Sequence, residues 1–426
     1  MKKVLVVVAM LPLFALAQNA GSIINVKEVE RVEKTLSSDA LRGRKVFTKD
    51  IRKASAFIEN EFKKTGLKPF NGYKNFRQDF SMTESVNTAA QVVIDGRQIE
   101  DSSLAVFSFQ PQVSFTNNDS VEVVKIAAGD NIRQQFYTYF SSNKNLLVLV
   151  DSSFQPFAAR IKSINNAKLK PGQNTVVFVF GVKNANAFSV KLDNKVTQKP
   201  LNNVVGIIPG KSKPNEYVIF SGHYDHLGVG EPKGKDSIYN GANDDAAGTT
   251  AVILLAKYFK ALHNNQRTLV FAAFTAEEIG EYGSEYFSEQ FDPAKVSAMF
   301  NIEMIGTESK WGKNSAYITG YEKTNMGKIL EKNLQGSIFK FYPDPYTTEQ
   351  LFYRSDNATL ARKGVPAHTI STSKMDNEPN YHQLSDEIGT LDLKNMAAII
   401  KAIAKSSVSI VNGKDAPTRV NPDDLK

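Results

Sequence analysis

The sequence contains no cysteine among its 426 residues. This absence excludes disulfide bonds, thiolate metal ligands, a cysteine nucleophile and lipid attachment through cysteine. Histidine is scarce as well, with five residues in the chain. Packing must therefore hold the fold together, and any metal ion would be bound by imidazole and carboxylate groups.

Long apolar runs are absent after the first part of the chain. Residues 1–17 combine two lysines near the start with an apolar stretch and a small-x-small sequence that ends at Ala17. This layout predicts a secretory signal peptide that is cleaved after Ala17. A membrane anchor is the alternative, but a spanning helix needs about 20 apolar residues. We expect an exported protein, periplasmic or extracellular, with no membrane span in the mature chain.

A concentrated patch of one charge is also absent. The formal net charge is +8, yet the Lys and Arg residues are scattered along the chain. A nucleic-acid partner would require a concentrated basic surface, so none is predicted. Hydrophobic residues make up 42% and charged residues 23% of the sequence, which is typical of a folded protein.

The chain length predicts one large domain and a smaller one. Residues 18–80 show apolar positions at helical spacing and a helix stop at Gly66, which predicts an N-terminal helical part of the main domain. Residues 81–200 contain short apolar runs between turn residues, which predict a β-rich insert. Its β-rich runs are 90–94, 121–126, 146–150 and 175–180.

Residues 201–426 alternate apolar runs with amphipathic segments. This alternation predicts an α/β fold with a mainly parallel mixed sheet and helices on both faces. The predicted strands are 204–208, 217–221, 268–275, 298–304, 316–319 and 367–370. The predicted helices are 246–262, 280–290, 324–334, 357–363 and 393–404. In such folds, ligands bind beyond the carboxyl ends of the strands.

His223 follows a predicted strand and stands two residues before Asp225. In an extended chain, these side chains lie on the same side, and a carboxylate can fix the second nitrogen of a metal-bound histidine. However, a histidine near a strand end is more often a structural residue. This motif alone leaves both interpretations open.

Asp244 and Asp245 follow Gly241 where a helix is predicted to begin. An acidic residue at this point is commonly an N-cap. Two adjacent acids suggest that one caps the helix while the other points at a cation. The pattern does not decide between these interpretations.

Glu277 and Glu278 follow the most apolar run of this part of the chain. Uncompensated carboxylates are costly in such a place, so a functional role is favoured. One can bind metal while its neighbour takes a proton from metal-bound water. Glu303 at another strand end and His382 in a polar loop are ordinary when taken singly, and Glu303 could be a salt-bridge partner.

Together these motifs offer two histidines and three carboxylates from successive ends of one sheet, with one glutamate to spare. Ligands of this type suit zinc or a similar divalent ion, and five are too many for one open catalytic site. Two metal ions that share a bridging carboxylate fit better.

The order of the motifs resembles that of the co-catalytic zinc aminopeptidases of peptidase family M28. The matching motifs are His-x-Asp, Gly-Ala-x-Asp-Asp-Ala-x-Gly, Ala-Glu-Glu, a strand-end acid and Tyr-His-x-x-x-Asp. The resemblance covers residues 203–407, with a weaker similarity in 36–80, which includes the segment that ends at Arg44. It implies the zinc-dependent exopeptidase fold, two zinc ions and peptide substrates.

The resemblance assigns His223 and Glu303 to one zinc ion, Glu278 and His382 to the other, and Asp244 to the bridge between them.

It also assigns catalytic roles. Glu277 would be the general base and then the proton donor to the leaving amine, and Asp225 would orient His223. Tyr381 matches a residue that donates to the tetrahedral oxyanion in some members.

Two departures from the family pattern bear on specificity. Aminopeptidases of the family usually carry Asp where Glu303 stands, and Glu is seen more in related carboxypeptidase-like enzymes. Residues 354–357 resemble the family's Ser-Asp-His element with Asn357 in place of His. The resemblance therefore leaves carboxypeptidase or dipeptidase specificity open and does not assign the substrate wall near Asn357.

Two further alternatives are a glutaminyl cyclase-like acyltransferase, which uses one zinc ion, and a non-catalytic binding homologue. The complete ligand set and Glu277 argue against both. Many family members carry a protease-associated domain at the place of the 81–200 insert, where a lid over the site would restrict access to short peptides or chain ends.

Overall fold

The structure is a computed structural model, which describes residues 22–70 and 72–425. The predicted signal peptide lies outside the described residues. The chain divides into two compact units, Met1–Phe80 with Leu201–Lys426, and Ser81–Pro200. No helix within residues 22–70 and 72–425 combines the length and apolar character that crossing a membrane requires.

Ten α-helices occur in the described residues. In chain order, α1 to α10 are Val26–Leu36, Lys49–Thr65, Ile132–Phe140, Ala158–Lys162, Ala247–Leu262, Tyr282–Ser288, Met326–Asn333, Asn357–Ala361, Leu393–Ser406 and Val408–Val411.

Eighteen strands occur in the same part of the chain. The strands β1 to β9 are Lys68–Pro69, Arg77–Ile94, Arg97–Gln98, Leu104–Ser108, Gln112–Thr116, Glu122–Ile126, Leu146–Val150, Ala167–Lys168 and Thr175–Phe180. The strands β10 to β18 are Phe188–Ile208, Lys213–His223, Gly228–Lys233, Asp236–Tyr239, Arg267–Phe274, Val296–Ile302, Ser315–Ile318, Lys340–Pro343 and Ala367–Ser371.

The first unit contains a mixed sheet in the order β17-β16-β18-β15-β11-β14-β10. Strand β11 pairs in parallel with both β14 and β15, and β15 pairs in parallel with β18. The end of β10 is antiparallel to β14, and β16 is antiparallel to β18. The predicted α/β fold with a mainly parallel mixed sheet is therefore confirmed.

Helices cover both faces because successive strand residues point to opposite sides. Phe220 stacks on Phe259 of α5 and on Phe271 of the neighbouring strand, which builds the core on one face. Ile219 belongs to the other core, together with Phe287 of α6 and Leu360 of α8. Fully buried strands in the middle of the sheet explain the continuous apolar runs of the sequence.

The helical expectation for residues 18–80 is correct only in part. Helices α1 and α2 lie there, and Gly66 ends α2 in the left-handed conformation at φ 74°. Strand β1 then forms at Lys68–Pro69, and β2 already begins at Arg77. The alternation of buried and exposed side chains from Arg77 onward has the period of a strand, not of a helix.

The second unit contains a four-stranded sheet in the order β4-β9-β7-β6, in which β7 is parallel to β6 and to β9. The β-rich runs that the sequence indicated coincide with strands β2, β6, β7 and β9, except that Val121 precedes β6. Helices α3 and α4 were not predicted, and their residues Phe136 and Ile161 complete the apolar core on one face of this sheet. Parallel strands need crossover connections, which these helices provide.

Candidate metal centre

The candidate ligands lie where the parallel strands end. His223 is the last residue of β11, Glu277 and Glu278 follow β14, and Glu303 follows β15 directly. These three strands are neighbours and run in the same direction, so their carboxyl ends meet at one edge. This is the edge at which open α/β sheets bind ligands.

The first group of ligand atoms surrounds His223 Nε2. Asp244 Oδ1 lies 3.2 Å and Glu303 Oε1 3.5 Å from this nitrogen. The ligand atoms of His223, Asp244 and Glu303 all lie within 4.8 Å of one another, which is close enough for one metal ion. Glu277 Oε2 stands 3.8 Å from the same nitrogen.

The second group surrounds His382 Nε2. Asp244 Oδ2 lies 3.2 Å and Glu278 Oε2 3.1 Å from it. Asp244 thus directs one carboxylate oxygen to His223 and the other to His382. A single carboxylate between two such groups has the arrangement that a bridging ligand requires.

The two adjacent aspartates before α5 have different tasks. Asp245 Oδ1 accepts hydrogen bonds from the Gly248 and Met304 amides, at 3.0 and 3.1 Å, and Oδ2 accepts one from the His223 amide at 3.1 Å. Asp245 therefore ties α5 to two strand ends, and Asp244 is left to face the ligand groups. The two adjacent acids therefore have different surroundings, which the sequence pattern alone did not distinguish.

Asp386 holds Asp244 from the opposite side. Its carboxylate accepts hydrogen bonds from the amides of Asn243 at 2.8 Å and Asp244 at 3.0 Å. Asp386 belongs to the Tyr-His-x-x-x-Asp motif, so this motif supplies both His382 and a support for Asp244.

The position of Asp225 differs in detail from the sequence-based expectation. Its carbonyl oxygen lies 3.2 Å from His223 Nδ1, while its carboxylate oxygen Oδ1 is 3.8 Å away. The carboxylate instead accepts hydrogen bonds from the amides of Glu277 and Glu278, at 3.2 and 3.4 Å. Asp225 therefore orients His223 mainly through its backbone and fixes the two glutamates through its side chain.

Tyr381 and Arg354 complete the wall of the cavity at this site. The Tyr381 ring stacks on His382, with the ring centroids 4.0 Å apart. Both Tyr381 and Arg354 line the cavity that contains His223, Asp244 and His382. Tyr381 thus lies beside His382 at the cavity wall.

Asn357, the residue that departs from the family pattern, is buried. Its Nδ2 donates to the Phe352 carbonyl at 3.0 Å, and its Oδ1 accepts from the Thr369 hydroxyl at 2.7 Å. It is not among the residues that line the cavity. Its hydrogen bonds join α8 to the sheet, and the residue of this segment that lines the cavity with a charged side chain is Arg354.

Arg44, in the N-terminal segment that resembles the family, hydrogen-bonds to the backbone segments that carry His223 and Asp244. Its fully buried guanidinium donates to the carbonyls of Tyr224 at 2.9 Å, Asn240 at 2.6 Å and Gly241 at 2.8 Å. A further bond at 2.7 Å reaches the Leu36 carbonyl. One side chain therefore holds the backbone next to His223 and the turn that presents Asp244.

Sequence reasoning missed His226. This buried residue places Nδ1 2.6 Å from Glu278 Oε1 and 4.0 Å from Asp244 Oδ2. His226, Asp244 and Glu278 also form a set of three whose ligand atoms lie within 4.8 Å of one another, and this set shares Asp244 and Glu278 with the group around His382. The signal was present as a second histidine in the His-x-Asp motif, one residue after Asp225.

The charges of the site are those of a cation-binding centre. Burial raises the pKa of Glu277 well above its usual value, and the nearby Glu303 and Asp356 carboxylates add to this effect. For His382, burial acts to lower the pKa, but the hydrogen bonds to Asp244 and Glu278 outweigh it and raise the pKa to about 10. Buried carboxylates of this density need compensation by positive charge.

The donor set fits zinc. Imidazole nitrogens and carboxylate oxygens are zinc ligands, and thiolates are excluded by the sequence. The distances of 3.1 to 3.5 Å between the imidazole nitrogens and the carboxylate oxygens of both groups match donors that share an ion rather than a wider electrostatic cluster.

Comparisons with known proteins agree with this site. Residues 203–407 match the family model of Peptidase family M28. A probable zinc metalloprotease of Pyricularia oryzae is 32% identical over 134 residues, which cover 31% of this chain and 24% of that protein. Aminopeptidase Y of Saccharomyces cerevisiae is 26% identical over 204 residues, 45% of this chain and 36% of that protein.

A solved structure extends the similarity of the fold beyond the matched segment. The aminopeptidase from Aneurinibacillus sp. strain AM-1 superposes with a TM-score of 0.56 at 16% identity, and the match covers 96% of this chain and 98% of that one. The sequence matches, in contrast, span only about a quarter to a third of the curated relatives' length. Residues 203–407, which contain the ligand groups, are thus similar to peptidase family M28.

Proposed function

We propose that this chain is a zinc-dependent exopeptidase with Glu277 as general base. The first candidate specificity is that of an aminopeptidase. The observation that carries the proposal is the placement of Asp244 between His223 and His382, with one oxygen 3.2 Å from each imidazole. The names of the relatives, which include a zinc metalloprotease and an aminopeptidase, support the same activity.

Two zinc ions fit this arrangement better than one. His223 and Glu303 would hold one ion, Glu278 and His382 the other, and Asp244 would bridge them. When bound, the ions would supply Lewis acidity for the substrate carbonyl and lower the pKa of the attacking water.

Glu277 is suited to move the proton. Its carboxylate points to the same nitrogen of His223 as the ligand oxygens, and its raised pKa brings it towards the range in which a base can accept and then return a proton. It would take the proton from the attacking water and give it to the leaving amine. The hydrogen bonds from its own and the next amide to Asp225 keep it in place.

Tyr381 is suited to stabilise the charge that develops on the substrate. The stacking on His382 holds its ring at the edge of the site. Burial raises the pKa of its phenol, so the hydroxyl stays protonated and can donate to an oxyanion.

Arg354 favours a second candidate, an exopeptidase that recognises a free substrate carboxylate. Its guanidinium lines the cavity and carries a permanent charge, and its ion pair with the exposed Glu349 at 3.4 Å is weak. Glu303 in place of the usual aspartate agrees with this specificity. We expect Arg354→Ala to raise KM about tenfold for substrates with a free carboxylate and to leave aminoacyl amides unaffected if the chain has carboxypeptidase or dipeptidase specificity.

Export belongs to the same proposal. The lysines and the apolar stretch of residues 1–17 support cleavage after Ala17 and a periplasmic or extracellular location. Fractionation of cells that express the full chain, with N-terminal sequencing of the product, checks this. An uncleaved product in the cytosol would contradict it.

The deciding experiment uses the chain without residues 1–17. We expect two zinc ions per chain by elemental analysis, and hydrolysis of aminoacyl substrates that a chelator abolishes. Glu277→Gln should lower kcat by a factor of about 10² to 10⁴ while zinc content stays at two. Glu322→Gln removes an exposed glutamate and is the matched control.

The remaining outcomes separate the alternatives. One zinc ion with cyclisation of N-terminal glutamine would favour the acyltransferase, and zinc binding without turnover of amino- or carboxyl-terminal substrates would favour a binding protein. Either result overturns the proposal.

A further inference from the structure

His226 is buried beside the second ligand group, which consists of His382, Asp244 and Glu278. Only 2% of its surface is exposed, and its Nδ1 is 2.6 Å from Glu278 Oε1. The other oxygen of the same carboxylate, Oε2, lies 3.1 Å from His382 Nε2. Glu278 is therefore held by one histidine through each oxygen.

The two ring nitrogens of His226 have different surroundings. Nδ1 has the short contact with Glu278, whereas Nε2 is buried without a hydrogen-bond partner among the described residues. A buried N–H without an acceptor costs free energy, and a carboxylate beside it needs a donor. Both conditions are met when the proton is on Nδ1 and is donated to Glu278.

The backbone and its packing set the direction of the His226 ring. Gly241 lies against the ring so closely that a Cβ atom at this position would be 2.5 Å from His226 Cδ2. Gly241 also has a positive φ of 57°, so a side chain there would be strained for a second reason. A side chain at position 241 would therefore displace the His226 ring or the turn that carries Asp244.

We propose that His226 is a positioning residue for the metal centre. Its Nδ1–H holds Glu278 Oε1 and thereby directs Oε2 to the ion that Glu278 shares with His382 and Asp244. This inference rests on the proposed function, because it assumes that the second ion is bound. Partners of this kind orient a ligand and change metal affinity about 10- to 100-fold when they are removed.

Direct ligation by His226 is the alternative, since its group of three could also hold an ion. The 2.6 Å contact argues against it, because Nδ1 faces a carboxylate oxygen at the distance of a charge-assisted hydrogen bond. Nε2 is buried and has no hydrogen-bond partner in the described part of the chain.

The test compares His226→Asn with His226→Leu. The Asn amide can place an N–H donor near the position of Nδ1, whereas Leu fills a similar volume without a donor. We expect the Asn variant to keep two zinc ions and the Leu variant to bind the second ion about 10- to 100-fold more weakly, measured by zinc titration with a chromophoric chelator. His263→Asn, at a residue with a left-handed backbone remote from the ligand groups, is the control.

Cobalt replacement distinguishes positioning from ligation. In the wild type and the Asn variant, the visible absorption of the bound Co²⁺ should be the same, because no ligand is lost. A changed spectrum in the Asn variant would show that His226 is itself a ligand and would overturn the proposal.

Two further results are decisive. If the Leu variant binds two ions with unchanged affinity and only unfolds at a lower temperature, His226 is a packing residue and the proposal is wrong. If the wild type binds fewer than two ions, the proposed function fails first, which the same titration shows before any variant is compared.

Discussion

The Ser355 hydroxyl donates a hydrogen bond to Glu303 Oε2 at 3.0 Å. Glu303 directs its other oxygen, Oε1, to His223. Ser355 thus restrains the proposed ligand Glu303, and its own position is set by a hydrogen bond from Asn301 Nδ2 at 2.8 Å. A glutamate has one more rotatable bond than an aspartate, so holding it in one conformation costs more conformational entropy.

We expect Ser355→Ala to weaken zinc binding at the His223 group by about 10-fold, because Glu303 then moves more freely. Zinc titration measures the loss. Ser337→Ala, which removes a hydroxyl near β17, should have no effect on zinc binding. Unchanged affinity in Ser355→Ala would show that Glu303 is held by its packing alone.

The neighbours Asp244 and Asp245 should respond differently to substitution. Asp244→Asn should abolish binding of both ions and leave the fold intact, since its carboxylate faces the two histidines. Asp245→Asn should lower the free energy of unfolding by about 1 to 3 kcal/mol. The Asn side-chain NH₂ group cannot accept the hydrogen bonds that the Asp245 carboxylate accepts from the backbone amides of His223, Gly248 and Met304.

Thermal unfolding and zinc analysis of these two variants form one experiment. The same loss of stability in both, or retention of zinc by Asp244→Asn, would contradict the division of tasks.

Arg44→Lys should destabilise the first unit by about 3 kcal/mol or more. The planar guanidinium reaches four carbonyl groups, and an ammonium cannot match that geometry. The midpoint of denaturant unfolding measures the change. Arg362→Lys, at a half-exposed arginine with a loose ion pair, is the control and should change the midpoint little. Equal effects of both substitutions would contradict a special role of Arg44.

Stability should decrease with rising pH because of Glu33. This fully buried carboxyl has its pKa raised from 4.5 to about 8, mainly by burial, although the Thr250 hydroxyl hydrogen bond opposes the shift. Between these two values, the folded chain holds a proton that the unfolded chain has lost. The free energy of unfolding therefore falls, by at most about 1.4 kcal/mol per pH unit, until the folded state also loses the proton near pH 8.

Glu33→Gln removes the titratable carboxyl group. It should flatten the dependence of the free energy of unfolding on pH between pH 5 and pH 8, an interval that lies between the two pKa values. Denaturant titration at several pH values tests the expectation, with the exposed Glu331→Gln as the control. A wild-type stability that rises through this interval, or a slope that the substitution leaves unchanged, would contradict it.

Much of the fold could be predicted from local pattern. The apolar run of β14 and the periodicity of α5 mark buried elements wherever they occur, and the predicted strands 217–221 and 367–370 lie within β11 and β18. The helices α3 and α4 were missed. Only the packing of Phe136 and Ile161 on their sheet distinguishes these short segments from loops.

The sequence by itself determined the ligand types, because it lacks cysteine and ends its apolar strands in histidine and acidic residues. Only the tertiary structure decided which of these side chains face the ligand groups and which form hydrogen bonds to the backbone. Asp244 and Asp245 are adjacent and chemically identical, and their tasks separate because Asp245 meets three backbone amides from distant segments. His226 became visible for the same reason: its partner Glu278 is 52 residues away in the chain, and only the parallel pairing of β11 with β14 brings the two together.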